Sequence, residues 1–380
     1  MDINFHYFAI KTIAVEAGFD ETEAQQIATY SQYVDDFDWI KPVYSDNIPE
    51  YLKDKNCDLY LRPRILGRGF NFRPTPTGFA GLENRAVLLQ RKMQKFMVSP
   101  FHFAPRAAGK ISRESRTAPT EIGDGTFLSD MLIDARGKII KREDEDRSVS
   151  LMRIGILLHT FADTHAHQLF SGYDSWVNDV KLIKVTNNIN GNDLTDKELE
   201  KVKKQRASIG RSRMYILPYI GHMWIFDTPD QSNLSFEMRY KKSKKDNYGG
   251  IYARSNTETF ADASLHILNY LRSCLGRDPV SAGDWAIFAE KLKFCFLVNF
   301  PSKNIVNELT NHWKKHFQYI QYDYNKDKIS GAFYESGAAD TGVDTRLKSR
   351  NYTGAFYAYN HIANTLLIKM YGPNSRKRNR

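Results

Sequence analysis

Cysteine is scarce in this chain: 380 residues hold three, Cys57, Cys274 and Cys295, scattered and odd in number. No CxxC pair suggests a thiolate metal site or a redox motif, and a disulfide framework is not expected. Long apolar runs are missing too; none approaches the ~18 residues of a membrane-spanning helix. The opening MDINFHYFAIKTIAVEAGF has no basic leading region, carries His6 and Glu16, and shows no small-residue cleavage site, so it does not read as a secretory signal. A soluble protein of a reducing cytoplasm is expected. Also lacking are a Gly-rich phosphate loop, a serine nucleophile elbow and a Cys/His nucleophile arrangement, so those routes to catalysis are set aside. Acid is in deficit: Asp plus Glu is 44 against Lys plus Arg at 54, a net charge of +10.

Hydrophobic residues at 42% and charged residues at 26% are those of a globular protein with a large core. Strand signals are sparse and helical spacing dominates. Phe5, Ala9, Ile13 and Ala17 fall four apart. Asp20 and Glu23 form a capping box for a helix from Glu21 to about Asp36. Further helices are expected over 82–97, 148–171, from 195 onward, 255–275, 282–296, 302–319 and 353–370, while Pro105 to Arg147 reads mostly as loop. The fold expected is all-α, one large multi-helix domain over 1–372 with long irregular loops, followed by a disordered basic tail at 373–380.

In SVSLMRIGILLHTFADTHAHQLFS, His159, Asp163 and His167 recur every four residues and share a helix face, continuing a stripe begun by Met152 and Ile156; His165 lies off it. Imidazole and carboxylate groups on a buried face must be satisfied. They are the ligands that zinc, iron or manganese accept. The alternative is a core histidine bonded to Asp163, with His167 near the surface. In the second helix, Ala24, Ala28, Ser31 and Asp35 share a face, so Asp35 either points inward toward a partner such as a metal or turns to solvent at the helix end; Asp36 is the weaker candidate. His6 among aromatics, His102 in SPFHFAP, and His222 after Gly221, with Asp230 beyond it, stand in apolar contexts.

Together MDINFHYFAI, SQYVDD, PFHF, LHTFADTHAHQLFSG and YIGHMWIFDTPD resemble an uncharacterised bacterial family distantly similar to the zinc-dependent phospholipases C and the related single-strand-specific nucleases. The resemblance implies an all-helical fold holding up to three zinc ions in a cleft. It implies His6 as an early ligand, Asp35 as the early aspartate and His102 as the isolated loop histidine. His159 and Asp163 match an H-x-x-x-D pair, Asp163 bridging two ions; His167 follows, and His222 is the later histidine. The chain departs from the pattern in three places. The secreted enzymes use a processed N-terminus as a ligand, so here Asp2 substitutes or that metal is absent. The carboxylate normally four residues after the later histidine is Phe226, leaving Asp227 or Asp230 to serve. The step from Asp163 to His167 is also short.

The activity implied is phosphodiester hydrolysis by metal-activated water, with Asp35 orienting it and one to three zinc or other divalent transition-metal ions bound. Basic residues cluster at Lys201–Arg213, Arg239–Lys245 and Arg376–Arg380, and together exceed the net charge. Such clusters suit a polyanion, nucleic acid or phospholipid; the Arg-rich stretch Arg62–Arg73 is either a phosphate clamp or a solvated loop. Two other readings stand beside the hydrolase: a non-catalytic metal- or nucleic-acid-binding protein with a degraded site, and a helical scaffold with buried histidines.

Overall fold

The computed structural model describes residues 1–39, 43–45, 48–52, 60–63, 70–78, 90–109, 111–141, 146–201, 204, 219–298, 305–333 and 352–372. The tail 373–380 and most of the basic run 201–213, of the Arg-rich stretch and of the first half of the 82–97 helix lie outside them.

Helices build the larger part of the fold. α1 begins as a wide π turn, Asn4–Ala9, and continues as Ile10–Ala17. α2 is Glu21–Asp36, started as expected by the Asp20 carboxylate, which accepts hydrogen bonds from the Thr22 and Glu23 amides. α3 runs as Arg91–Met93, a second π turn Gln94–Val98 and Ser99–His102. Then come α4, Phe127–Lys141, and α5, Arg147–Ala166. After them are α6, Asn256–Cys274; α7, Ala282–Phe296; α8, Ile305–His316; α9, Lys326–Ala332; and α10, Gly354–Tyr371.

The chain is nevertheless mixed α/β, which corrects the all-α expectation. β1 (Val43–Ser45), β2 (Tyr60–Pro63) and β3 (Phe70–Phe72) form one antiparallel sheet in the order β1-β3-β2. β4 (Val180–Asn187), β5 (Leu234–Tyr240) and β6 (Gly250–Ser255) form a second, in chain order. β5 shows why: Leu234, Phe236 and Met238 alternate inward while Arg239 faces water, the period-2 pattern of a half-buried strand. A second correction is α4, inside the segment read as loop: Phe127, Leu128, Met131, Leu132, Ala135 and Ile139 bury one face of it.

Two apolar clusters result. The larger unites α1, α2, α4, α5, α6 and α10 with the aromatic residues of α7 and α8. The smaller gathers Val180, Val185, Leu234, Phe236 and Met238 of the second sheet with Met97, Phe103, Phe170 and Ile225. α5 is buried on nearly all sides from Ser150 to Ala166, so it is the central helix.

α2 packs closely along α5, and Gly155 sets their distance. A Cβ built on Gly155 would lie 2.4 Å from the Ile27 carbonyl oxygen and 3.1 Å from the Ser31 amide nitrogen. Since α2 carries Asp35 and α5 carries His159, this contact brings both side chains to one place. Gly155→Ala is expected to force the helices apart, costing about 1–3 kcal/mol as overpacking does. It should also lower metal content, because Asp35 moves with α2. Thermal melting and elemental analysis of the variant check both effects; unchanged values for both would show that the spacing is not needed.

Candidate metal centre

The residues singled out in the sequence come from five separate pieces of chain and converge. His6 lies in the π turn of α1, Asp35 in the last turn of α2, His102 at the end of α3, and His159 and Asp163 one turn apart on α5. α5 ends earlier than the expected Ser171: His167 is its C-cap, still bonded through its amide to the Asp163 carbonyl. His222 and Asp230 come from the compact turns before β5. Both π turns immediately precede or contain a site histidine, a placement common for such turns at functional sites.

Three groupings of donor atoms share two carboxylates. In the first, His102 Nδ1 and His159 Nε2 stand 3.3 Å apart, 3.2 and 3.4 Å from Asp163 Oδ2 and each 3.7 Å from Asp35 Oδ1. Zinc with ligands at about 2.0–2.1 Å in a tetrahedron has ligand–ligand edges of about 3.3 Å, so these four atoms already outline such a site. In the second, Asp163 Oδ1 lies 3.1 Å from His6 Nε2 and 2.5 Å from the Met1 α-amine. In the third, Asp230 Oδ1 is 2.8 Å from His167 Nε2 and 3.0 Å from the Met1 amine, and Oδ2 is 3.2 Å from His222 Nε2. Asp163 thus sends one oxygen into each of the first two groupings, and Asp230 joins the last two.

The fit to a cation follows from tautomers. His102 Nε2 faces the Thr77 carbonyl at 2.8 Å, His167 Nδ1 faces the His102 carbonyl, and His222 Nδ1 faces the Phe226 carbonyl. A carbonyl only accepts, so each of those nitrogens carries the proton. In the neutral ring the other nitrogen then presents a lone pair, and in all three it is directed at a carboxylate oxygen. Lone pair facing lone pair at 2.8–3.2 Å is repulsive unless a proton or a metal ion lies between. Backbone carbonyls holding the outer nitrogen are the usual orienting partners of metal-bound imidazoles. His6 and His159 stack, ring centroids 3.8 Å apart, and their buried Nδ1 atoms have no hydrogen-bond partner among the described residues.

The electrostatics describe the same need. Three carboxylates meet in a buried space with one fixed cation, the Met1 ammonium, whose pKa rises to about 11: burial opposes the charge but Asp163 and Asp230 outweigh it. Burial would raise Asp163 as well, yet the Met1 ammonium and the surrounding histidines hold it well below the carboxylate range; His222, Met1 and His167 do the same for Asp230. Burial lifts the Asp35 carboxyl against the pull of His159 and His102. Burial drives His6 and His167 down. His102 and His222 move up, because Asp163 and Asp35 around one and Asp230 beside the other exceed the cost of burial. Without metal, protons on these two rings balance the carboxylates.

All eight predicted site residues are in the cluster, and it resolves the alternatives left open. Asp35 points inward, its side chain 29% exposed, with Gln32 bonded to its other oxygen at 3.3 Å. Asp36 instead accepts a hydrogen bond from Tyr324. Asp230, not Asp227, is the late carboxylate. Asp2 does not substitute as a ligand: its carboxylate accepts the Asn4 amide at 3.1 Å, while the Met1 amine takes the place the sequence reading had offered it. His165 stays outside, facing the Thr120 carbonyl. Gly221, at φ +52°, lies so close to Phe103 that a Cβ would come within 2.2 Å of its ring, and that ring stacks on His167 at 4.5 Å.

A cavity of about 420 Å³ adjoins the cluster, with Met1, Asp2 and Asp230 on one wall and Leu194, Leu234, Val298, Ile305 and Leu309 on another; Lys197 and Lys201 also line it. No curated protein and no solved structure matches the chain. Residues 1–364 match the model of a Family of unknown function (DUF6765), and the chain belongs to that family.

Proposed function

We propose that the protein is a metal-dependent phosphodiester hydrolase, related in its centre to the zinc-dependent phospholipases C and single-strand-specific nucleases. The observation that carries this reading is the sharing of Asp163 and Asp230 among three groupings of His, Asp and amine donors, which suits closely spaced divalent ions. When bound, zinc or a similar ion supplies an activated water and charge stabilisation for the phosphorus–oxygen chemistry.

The residues divide the work. His102, His159, Asp35 and Asp163 would hold one ion, Met1, His6 and Asp163 a second, and His167, His222 and Asp230 a third. Asp35 is the group of the first set that reaches solvent. That exposure places it to orient an incoming water. Lys197 lines the adjoining cavity and offers a positive charge to a phosphate diester, whereas Lys201 is paired with Glu198 at 2.6 Å. The adjoining cavity carries the aliphatic side chains of Leu194, Leu234, Val298, Ile305 and Leu309 among its polar lining, and its described lining residues include no aromatic side chain on which a nucleobase would stack. A phosphoester of an aliphatic, lipid-like alcohol fits it better than nucleic acid.

The test is product release by zinc-loaded protein from phospholipid vesicles, single-stranded DNA and RNA. Phosphoryl head-group release from the vesicles, with at least about a hundredfold loss in Asp35→Asn, is the expected result. Cleavage of DNA or RNA alone would move the substrate to nucleic acid. No turnover of any of the three by protein shown to hold its metal would overturn the hydrolase reading.

A further inference from the structure

A separate group of donors lies where α7 meets α8. Cys295 is in the last turn of α7, and His312 and His316 are four residues apart at the end of α8, on one helix face. One donor atom from each lies within 4.8 Å of the other two. The thiol is fully buried while both imidazoles are partly exposed, so solvent reaches the site from one side. We propose that Cys295, His312 and His316 form a second, independent site for a borderline-soft divalent ion, zinc or one of its neighbours cobalt and nickel, with water in the fourth position.

Three features on the page favour a cation there. The donor set is one thiolate and two imidazoles, the kind that zinc takes in three-ligand sites with an open position. His312 Nε2 faces the Phe294 carbonyl at 3.3 Å, which places the proton on Nε2 and the lone pair on Nδ1, the carbonyl-backed arrangement of metal-bound histidines. Both helices also end at this point, so the negative ends of two helix dipoles are turned toward the same space. Of the lysines of those turns, Lys293 pairs with Glu258 at 2.8 Å and Lys314 with Gln321 at 3.0 Å, while Lys315 acts on His312 through its charge.

The edges of a tetrahedral ion with one sulfur and two nitrogens are about 3.3–3.6 Å, so the three side chains have at most about 1.5 Å to close on binding. The exposed imidazoles can make that movement, and His316 is steadied by its ring lying parallel to Phe294, with centroids 5.8 Å apart. The thiol gives up its proton to solvent as the metal–sulfur bond forms. The ion then ties α8 to α7 across the 297–304 connection.

Cobalt(II) titration of the whole protein distinguishes this site from the main centre, which has no cysteine among its described residues. A near-ultraviolet sulfur-to-cobalt charge-transfer band is expected, absent in Cys295→Ser and retained in Cys274→Ser and Cys57→Ser. His312→Gln and His316→Gln, both at partly exposed positions outside the core, should weaken cobalt binding at this band by at least about tenfold. No charge-transfer band in the folded native protein, or a band that survives in both histidine variants with unchanged affinity, overturns the proposal.

Discussion

Asp163→Ala should empty two of the three groupings of the main centre, not merely one, leaving His167, His222 and Asp230 as the set still able to hold metal. Each oxygen of this carboxylate faces a different set of donors: Oδ2 lies against His102 and His159, Oδ1 against His6 and the Met1 amine. Removing it leaves His102, His159 and His6 without their shared anion and the buried Met1 ammonium without its nearest partner. Breaking one side of a buried charged pair costs about 3–5 kcal/mol, so the variant should also melt earlier. Hydrolysis should fall by at least about a thousandfold, equal to about 4 kcal/mol of transition-state stabilisation. His159→Ala touches only the first grouping and should keep metal at His167, His222 and Asp230. Elemental analysis of the two variants beside the native protein decides the matter. Asp163→Asn, nearly the same shape, controls for misfolding. Native metal stoichiometry in Asp163→Ala would contradict the bridging role.

That central carboxylate was readable from sequence because it repeats with His159 on a helix whose first half is apolar on most sides. A polar group in such a helix has to be answered by something, and the spacing fixed which neighbours share its face. Asp35 was legible for the same reason, as the end of a small-residue stripe. Periodicity states which way a side chain points but not what it meets. The convergence of five segments on Asp163 and Asp230 therefore came into view with tertiary structure. Met1 could not be read as a donor, since an α-amine carries no pattern; the choice between Asp2 and nothing missed it. The carbonyls of Thr77, His102 and Phe226 that orient the rings are equally silent in sequence. The strands were missed for another reason. β5 is seven residues long and β6 six, so their alternation is brief beside the longer helical runs, and β4 is irregular between Leu182 and Lys184, where the pairing register shifts.

Chelation should destabilise the protein strongly above neutral pH and weakly below it. A ligand present at a thousand times its dissociation constant stabilises the folded state by about 4 kcal/mol, so stripping the metal at pH 8 should lower the melting temperature by roughly 5–15 °C. The pH dependence has two sources. Metal binding needs neutral imidazoles, so as pH falls through about 6.5 protons compete for the ring nitrogens and the metal's contribution fades. In the metal-free protein two imidazoles behave oppositely. His102 and His222 have folded-state pKa values raised by Asp163 with Asp35 and by Asp230, in each case against burial. A raised pKa contributes stability that is fully present below the unfolded value and is lost as pH rises through the folded one. Protons on these rings therefore hold the empty centre together in acid and leave it in alkali, where three carboxylates face one ammonium. The gap between metal-loaded and chelated melting temperatures should narrow from pH 8 to pH 6 because the metal's contribution fades, while in the chelated protein the protons on His102 and His222 offset the cost of the buried His6 and His167, whose pKa values are lowered. Paired melts with and without chelator at both pH values measure it. A gap as wide at pH 6 as at pH 8 would mean that the imidazoles of this cluster are not the groups that exchange protons for metal.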